Sequence, residues 1–169
     1  MFVLGIDPGL STLGYGLIEA RGHVIRAVAA GVIRTDPGLD VGHRLTELHR
    51  DLEALIAEHR PDEAAIEQVF VNRNLQTATT VGRASGVVLL ALAQQNVPVA
   101  EYTPSAVKRS LTGYGNADKA QMKKVVAMRL GLDRPPSPAD AADALAIAMC
   151  HVQTAPMNRL ADRATGGTR

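Results

Sequence analysis

The sequence has 169 residues, 46% of them hydrophobic and 21% charged, with a formal net charge of +1. This length and composition predict one soluble globular domain with a core of its own. No apolar run is long enough to span a bilayer, and no basic segment precedes the apolar N-terminus, so neither a membrane anchor nor a signal peptide is expected. The single cysteine, Cys150, cannot form an internal disulfide, which is compatible with a reducing cytosol.

Strands dominate the first third of the chain. Apolar segments bounded by turn residues predict three strands over residues 2–6, 13–18 and 23–33. Leucines at helical spacing predict a helix over residues 45–56, which Pro61 follows closely. A short buried strand over residues 64–67 comes next.

Helices dominate the rest of the chain. A long helix is predicted from Leu75 to about Gln95, followed by a fifth strand over residues 97–102. Thr103 and Pro104 are a good N-cap and first-turn residue for a short helix that stops at Gly113. A basic helix over residues 118–130 and a last helix ending near His151 complete the pattern.

Strands first, then alternating helix and strand, predict an α/β fold with a five-stranded mixed sheet flanked by helices. From Thr154 onward the chain is polar and rich in Gly and Thr. We therefore expect one domain over residues 1–153 and a flexible C-terminal tail over residues 154–169.

The charge is unevenly distributed along the chain. Residues 101–134 contain seven Lys and Arg against three Asp and Glu, whereas residues 1–100 contain eight against eleven. The basic segment over residues 101–134 is compatible with a polyanionic substrate, and equally compatible with an ordinary solvated helical surface.

Two acidic residues end predicted strands. Asp7 closes the first apolar strand and Glu67 closes the fourth, where a buried carboxylate without a partner is unfavourable. Asp7 before Pro8-Gly9 is also typical of an Asx turn, and Glu67 is also compatible with a solvated strand end.

Two more acidic residues lie three positions apart on one face of the last helix. Asp140 follows Ser137-Pro138 and is also compatible with a helix cap. Asp143 lies among alanines, leucine and isoleucine, with no cationic residue three or four positions away. A metal ion shared with Asp140 would resolve that unfavourable placement.

Carboxylates gathered from distant segments are the ligands that a pair of hard divalent cations prefers. Together, the four acids predict a metal-dependent site for phosphoryl transfer. Asp7, at the end of the expected central strand, is the predicted bridge between the two ions.

Three other side chains are candidate contacts for a nucleic acid. Lys119 begins a helix, which is the unfavourable end for a cation unless the side chain binds phosphate; a solvated lysine fits equally well. Lys108 on the preceding helix is a weaker candidate. Phe70 follows Glu67 closely and is suited either to stacking on an unpaired base or to packing on the next helix.

Three motifs in order resemble the RuvC family of Holliday junction resolvases. They are Gly5-Ile6-Asp7-Pro8-Gly9 with Gly14-Tyr15-Gly16, then Ala65-Ile66-Glu67-Gln68-Val69-Phe70, then the segment Asp140 to Ala148. The resemblance runs from Phe2 to about His151, and the ordered set is more specific than any single motif.

This resemblance implies a ribonuclease H-like fold and a homodimer that nicks four-way junction DNA in recombination and repair. It implies a site with two Mg²⁺ ions per subunit, for which Mn²⁺ can substitute, held by Asp7, Glu67, Asp140 and Asp143. It also implies a bacterial cytoplasmic protein that works with the RuvA–RuvB branch-migration complex.

The resemblance further implies that Lys108 and Lys119 support DNA binding and catalysis, and that Phe70 contacts the junction. Arg73 stands where family members often have lysine in the loop after the aromatic residue, and arginine contacts phosphate with a different geometry. The small residues from Gly82 to Gly86 are suited either to a dimer interface or to packing on the protomer's own sheet.

Three other classes share part of this pattern. Residues 7–11 also fit the phosphate loop of actin-like ATPases, but 169 residues leave no room for their second lobe. A ribonuclease H-like nuclease that processes RNA would use similar acids. A non-catalytic junction-binding module would have no use for four clustered carboxylates.

Overall fold

The computed structural model describes residues 1–68 and 75–164, with side chains described up to residue 155. Phe70 and Arg73 therefore lie outside the described residues. Within the described ranges, five strands and five helices follow one another in the order that the sequence predicts. The strands are β1 (Phe2–Asp7), β2 (Thr12–Arg21), β3 (Val24–Arg34), β4 (Glu63–Glu67) and β5 (Val99–Tyr102). The helices are α1 (Val41–His59), α2 (Leu75–Gln94), α3 (Pro104–Thr112), α4 (Lys119–Leu130) and α5 (Ala139–Ala164).

The strands form one mixed sheet in the order β3-β2-β1-β4-β5. The central strand β1 pairs antiparallel with β2 and parallel with β4, and β4 pairs parallel with β5. The prediction of a five-stranded mixed sheet flanked by helices is confirmed. Because β1 and β4 are parallel neighbours, their carboxyl ends, which carry Asp7 and Glu67, lie at the same edge of the sheet.

Alternation along the strands sends apolar side chains to both faces of this sheet. On one face, residues such as Leu4 and Ile66 pack with Leu48 of α1 and Val88 of α2. On the other face, residues such as Val3 and Ala65 pack with apolar residues of α3, α4 and α5. The three helices of this second face are the ones that carry the predicted lysines and the second pair of acids.

Glycines in the two central strands let α5 lie directly on the sheet. A Cβ atom added at Gly5 would lie 2.7 Å from the backbone nitrogen of Ala148, and one at Gly16 would lie 2.7 Å from that of Leu145. At Gly14 an added Cβ would lie 3.0 Å from Asp140 Cβ and collide with the Asp140 carbonyl. Gly5, Gly14 and Gly16, which all belong to the first motif, thus determine how closely α5 approaches β1 and β2.

The ends of α3 and α4 agree with the ends predicted from the sequence. Thr103 caps α3 by accepting the Ala106 N–H, as predicted. Asp118 caps α4 and forms a reciprocal capping box with Gln121. Both helices end at a glycine with positive φ, Gly113 and Gly131.

The last helix is longer than predicted. It continues to Ala164 instead of ending near His151, so the expected tail is helical over residues 154–164. Part of the reason is that Thr154 hydrogen-bonds the Cys150 carbonyl and the Tyr102 hydroxyl, and Ala155 is buried. The helix begins at Ala139, directly after Pro138.

Helix α2 presents small residues outward. A Cβ atom added at Gly82 or Gly86 would meet nothing within 4 Å, whereas Ala84, Ser85 and Val88 are buried. The glycines of the stretch from Gly82 to Gly86 thus face outward while Ala84 and Ser85 pack inward, so each of the two alternatives holds for part of the stretch. No helix within the described ranges is long and apolar enough to cross a membrane.

Candidate active site

A cleft of about 300 Å³ opens at the sheet edge where β1 and β4 end. Its walls come from the ends of these two strands and from α3, α4 and α5, so it collects residues that are far apart in the sequence. The lining residues are Asp7, Glu67, Pro104, Val107, Lys108, Lys119, Met122, Asp143 and Ala146. Three of the four predicted acids and both predicted lysines thus meet in one cleft.

Asp7 is the most perturbed acid in the cleft. Burial raises the pKa of its carboxyl group from the ordinary value of 3.8 to about 7, and the charges of Glu67, Asp143 and Asp140 add to this rise. The positive charge of Lys119 opposes the rise. A carboxylate placed this way is unfavourable without a cation, which argues against a solvated Asx turn as its only role.

Glu67 shares this environment. Burial raises the pKa of its carboxyl group, the charge of Asp143 adds to the rise, and Lys119 and Lys108 lower it. Glu67 lies at the end of β4, beside Tyr102 in the register with β5. Its placement contradicts the alternative of a freely solvated strand end.

Lys119 faces the acids while remaining accessible. Its Nζ lies 3.7 Å from Asp143 Oδ2, and its side chain is 80% exposed. It occupies the first position of α4, whose free N–H groups are partly satisfied by the Asp118 cap. A long exposed cation beside partly buried carboxylates can reach a phosphate at the mouth of the cleft.

Asp140 lies beside the cleft and does not line it. It is in the first turn of α5, three residues before Asp143, and its charge contributes to the raised pKa of Asp7. An acid in the first turn also interacts favourably with the helix dipole. The two roles weighed for Asp140 in the sequence are therefore compatible with each other.

The donor set suits hard cations, because all four acids offer carboxylate oxygens. Within residues 1–68 and 75–155, however, no three His, Cys, Asp or Glu side chains are close enough to enclose one ion. The described carboxylates therefore supply oxygen atoms without forming a closed shell around a single ion.

An arginine that the sequence analysis did not single out braces the turn after Asp7. Arg44 of α1 donates to Ser11 Oγ at 2.7 Å and to Thr35 Oγ1 at 3.0 Å, and Thr35 donates to the Leu10 carbonyl at 2.7 Å. This network ties the turn between β1 and β2 to the first turn of α1. No sequence spacing connects Arg44 to Ser11, because 33 residues separate them.

Comparison with known proteins identifies the family of this chain. The family model for crossover junction endodeoxyribonuclease RuvC matches residues 3–151. A protein of Chloroflexus aggregans with that name is 52% identical over 156 residues, which cover 92% of this chain and 95% of the relative.

Two solved structures of Thermus thermophilus RuvC are also similar, each with 37% identity and 94% of this chain covered. The protein alone has a TM-score of 0.85 with 97% of its chain covered, and the complex with a Holliday junction substrate has a TM-score of 0.88 with 96% covered. These likenesses confirm the ribonuclease H-like fold. The chain belongs to the RuvC family of crossover junction endodeoxyribonucleases.

Proposed function

We propose that this protein resolves four-way DNA junctions by hydrolysing one phosphodiester bond in each of two strands, in homologous recombination and DNA repair. The observation that carries the proposal is the meeting of Asp7, Glu67 and Asp143 with Lys108 and Lys119 in one open cleft. The T. thermophilus relative, whose fold this chain shares, has been solved with a Holliday junction substrate.

RuvC family nucleases are metal-dependent, and we propose that Asp7, Glu67, Asp140 and Asp143 hold two Mg²⁺ ions in each subunit. Mn²⁺ is expected to substitute, because it also accepts oxygen ligands. When bound, the ions would activate a water and stabilise the departing oxygen. Burial, together with the charges of the neighbouring acids, raises the pKa of Asp7, so its carboxylate would gain most from nearby cations, and we propose it as the ligand that both ions share.

The lysines hold the DNA strand in this proposal. Lys108 and Lys119 lie on the α3 and α4 walls of the cleft, where they can bind phosphates on either side of the scissile bond. Phe70 and Arg73 follow the cleft residue Glu67 by three and six positions in the sequence. We propose that they contact the junction, Phe70 by stacking and Arg73 by binding phosphate.

Replacing Lys119 with alanine is expected to slow junction cutting about 10- to 100-fold, because one cationic contact to the phosphate is lost. Stability should change little, since the pair with Asp143 is exposed on the lysine side. Single-turnover rates and thermal unfolding measure both effects. The matched control is Lys124→Ala, which removes an exposed lysine of the same helix outside the cleft. Equal cutting rates for wild type and Lys119→Ala would mean that Lys119 is only a solvated surface residue.

We propose a homodimer that uses helix α2. One face of this helix exposes an apolar and small stripe, in which Leu75 is 70% and Leu90 is 52% exposed. Thr79, Gly82 and Gly86 lie between them at helical spacing. Glycines facing outward allow two helices to approach closely, and a two-fold dimer matches a junction cut on two strands.

Leu90→Glu is expected to weaken this dimer on the order of 100-fold, because it would bury a carboxylate in an apolar interface. Sedimentation of the full chain should show a dimer for wild type and a monomer for the variant at the same concentration. Met128→Glu is the control, because Met128 is 72% exposed on α4, away from the stripe. Dimeric Leu90→Glu protein, or monomeric wild type, would contradict the proposed interface.

We further propose that the protein acts in the bacterial cytoplasm together with the RuvA–RuvB branch-migration complex. Family membership supports this proposal, and the buried free thiol of Cys150 is compatible with it.

The proposed function is tested with a synthetic mobile four-way junction, a linear duplex of the same arms and an RNA–DNA hybrid, each with Mg²⁺ and with EDTA. Paired nicks at the junction that require Mg²⁺ are expected. Cutting of the hybrid would instead favour an RNA-processing nuclease of the same fold. Binding of the junction without cutting in either Mg²⁺ or Mn²⁺ would favour a non-catalytic module.

A further inference from the structure

Tyr114 is the one exposed aromatic residue among the Phe and Tyr side chains of the described residues. It is 50% exposed, whereas Phe2 and Tyr15 are partly buried and Tyr102 is buried. Tyr114 lies in the connection between α3 and α4, and none of the roles assigned above involves it. A large ring left in water at this position has no evident use in packing the core.

The ring is held in place from both sides. Its hydroxyl donates to Gln121 Oε1 at 3.1 Å, and the same oxygen accepts the Asp118 N–H at 3.2 Å in the α4 capping box. On the backbone side, the Thr112 hydroxyl donates to the Tyr114 carbonyl at 2.8 Å. Gly113, with φ of 86°, ends α3 directly before the tyrosine. These hydrogen bonds favour one orientation of the side chain in the free protein.

The connection that carries Tyr114 joins two walls of the active-site cleft. A Cβ atom at Gly115 would lie 3.6 Å from Ser105, the residue after the lining residue Pro104. Gln121, which holds the hydroxyl, belongs to the capping box at the start of α4, the helix whose first residue is the lining residue Lys119. The ring therefore lies beside the N-terminal end of α4.

The segment that carries the ring and its contacts, residues 105–124, contains five Lys and Arg against one acid, Asp118, and this excess of positive charge favours a nucleic acid. Arg109 lies within 4.0 Å of a Cβ atom added at Gly115, and Lys119 and Lys123 belong to the first turns of α4. Cations bind the sugar-phosphate backbone, whereas an aromatic face beside them offers a surface on which a base can stack. An ordered ring loses little conformational freedom when it does so.

We propose that Tyr114 stacks on a nucleobase of the DNA strand that enters the cleft, and so positions the scissile phosphate. This inference rests on the proposed function, because it requires that DNA occupy the cleft. The stacking surface is the ring itself. The hydroxyl serves to hold the ring on Gln121.

The first test measures junction affinity of the full-length protein in EDTA, where cutting does not interfere, and single-turnover cutting in Mg²⁺. Tyr114→Ala is expected to weaken binding or slow cutting about 5- to 50-fold. Tyr114→Phe should remain within about threefold of wild type, because it keeps the ring. Met128→Ala, an exposed substitution on α4, is the control. A Phe variant as impaired as the Ala variant would assign the effect to the hydroxyl bond and overturn stacking.

A second variant keeps the test decisive if Tyr114→Ala disturbs the α4 cap. The chain contains no tryptophan, so Tyr114→Trp introduces a single fluorescent reporter at this position. Stacking predicts quenching of its emission on addition of junction DNA, and reduced quenching by iodide in the complex. Unchanged emission and iodide access at saturating junction would overturn the inference. If wild type failed to bind the junction, the proposed function and the inference would both be overturned. If wild type bound normally but the Tyr114→Trp emission did not change, the inference alone would be overturned.

Discussion

Asp7→Asn is expected to abolish junction cutting, by about 10³-fold or more, while leaving the fold and junction binding intact. The amide has nearly the volume of the carboxylate, but it lacks the charge that would hold two cations. Loss of several kcal/mol of transition-state stabilisation corresponds to this change in rate.

The same substitution is expected to stabilise the metal-free protein at neutral and alkaline pH. The pKa of Asp7 is raised to about 7 in the folded state, from an ordinary value of 3.8. The folded state therefore prefers the protonated form, and this preference favours folding fully below about pH 3.8 and is lost as the pH rises to about 7. Above pH 7 the wild type carries a buried charge that Asp7→Asn lacks, which corresponds to a gain on the order of 1–3 kcal/mol for the variant.

Thermal unfolding in EDTA at pH 5 and pH 8 measures this effect. The advantage of Asp7→Asn should be larger at pH 8, and Mg²⁺ should raise the melting temperature of wild type more than that of the variant. A variant that is less stable than wild type at pH 8, or that still cuts, would contradict the placement of Asp7 at the centre of the carboxylate cluster.

Gly14→Ala is expected to slow cutting about 10²-fold and to lower the free energy of unfolding by about 1–3 kcal/mol. The added methyl group would collide with the Asp140 carbonyl and lie 3.0 Å from its Cβ atom, so the start of α5 must move away from β2. That movement displaces Asp140 and Asp143 together, since both lie on this helix. The effect on the site is thus transmitted through the helix backbone.

Gly42→Ala is the matched control for this substitution. It adds the same methyl group at the start of α1, where the nearest atom, Asp40 Oδ1, is at an ordinary 3.4 Å. Chemical denaturation measures the stability of both variants, and single-turnover cutting measures their activity. Together they distinguish the effects of the two substitutions. If Gly14→Ala cut at the wild-type rate, close approach of α5 to β2 would not be what positions the acids.

Much of the site was predictable because its acids stand in unfavourable local positions. Asp7 and Glu67 each end an apolar strand, and the structure places both at one sheet edge because β1 and β4 are parallel. Asp143 has no cation near it on its own helix, and its cationic neighbour proves to be Lys119 of α4. Local sequence therefore indicated which side chains were unusual.

What the sequence could not indicate was how distant segments meet. The role of Arg44 depends on α1 lying against the turn after β1, and no local pattern encodes that contact. The length of α5 was underestimated because polar residues after Thr154 suggested fraying, whereas the Thr154 hydroxyl donates a tertiary hydrogen bond to the Tyr102 hydroxyl. The glycines of β1 and β2 were recognisable as a motif, but their contact with α5 is a property of the packed fold.

The central claim is that carboxylate-held cations act on the scissile phosphate of a junction. It is tested most directly by replacing one non-bridging oxygen of that phosphate with sulfur and comparing single-turnover cutting in Mg²⁺ and Mn²⁺. At one of the two stereochemical positions, cutting is predicted to fall at least about tenfold with Mg²⁺, which binds sulfur poorly, and to recover with Mn²⁺. Cutting of both sulfur-substituted junctions at the rate of the unmodified junction, in Mg²⁺ and in EDTA alike, would contradict the account.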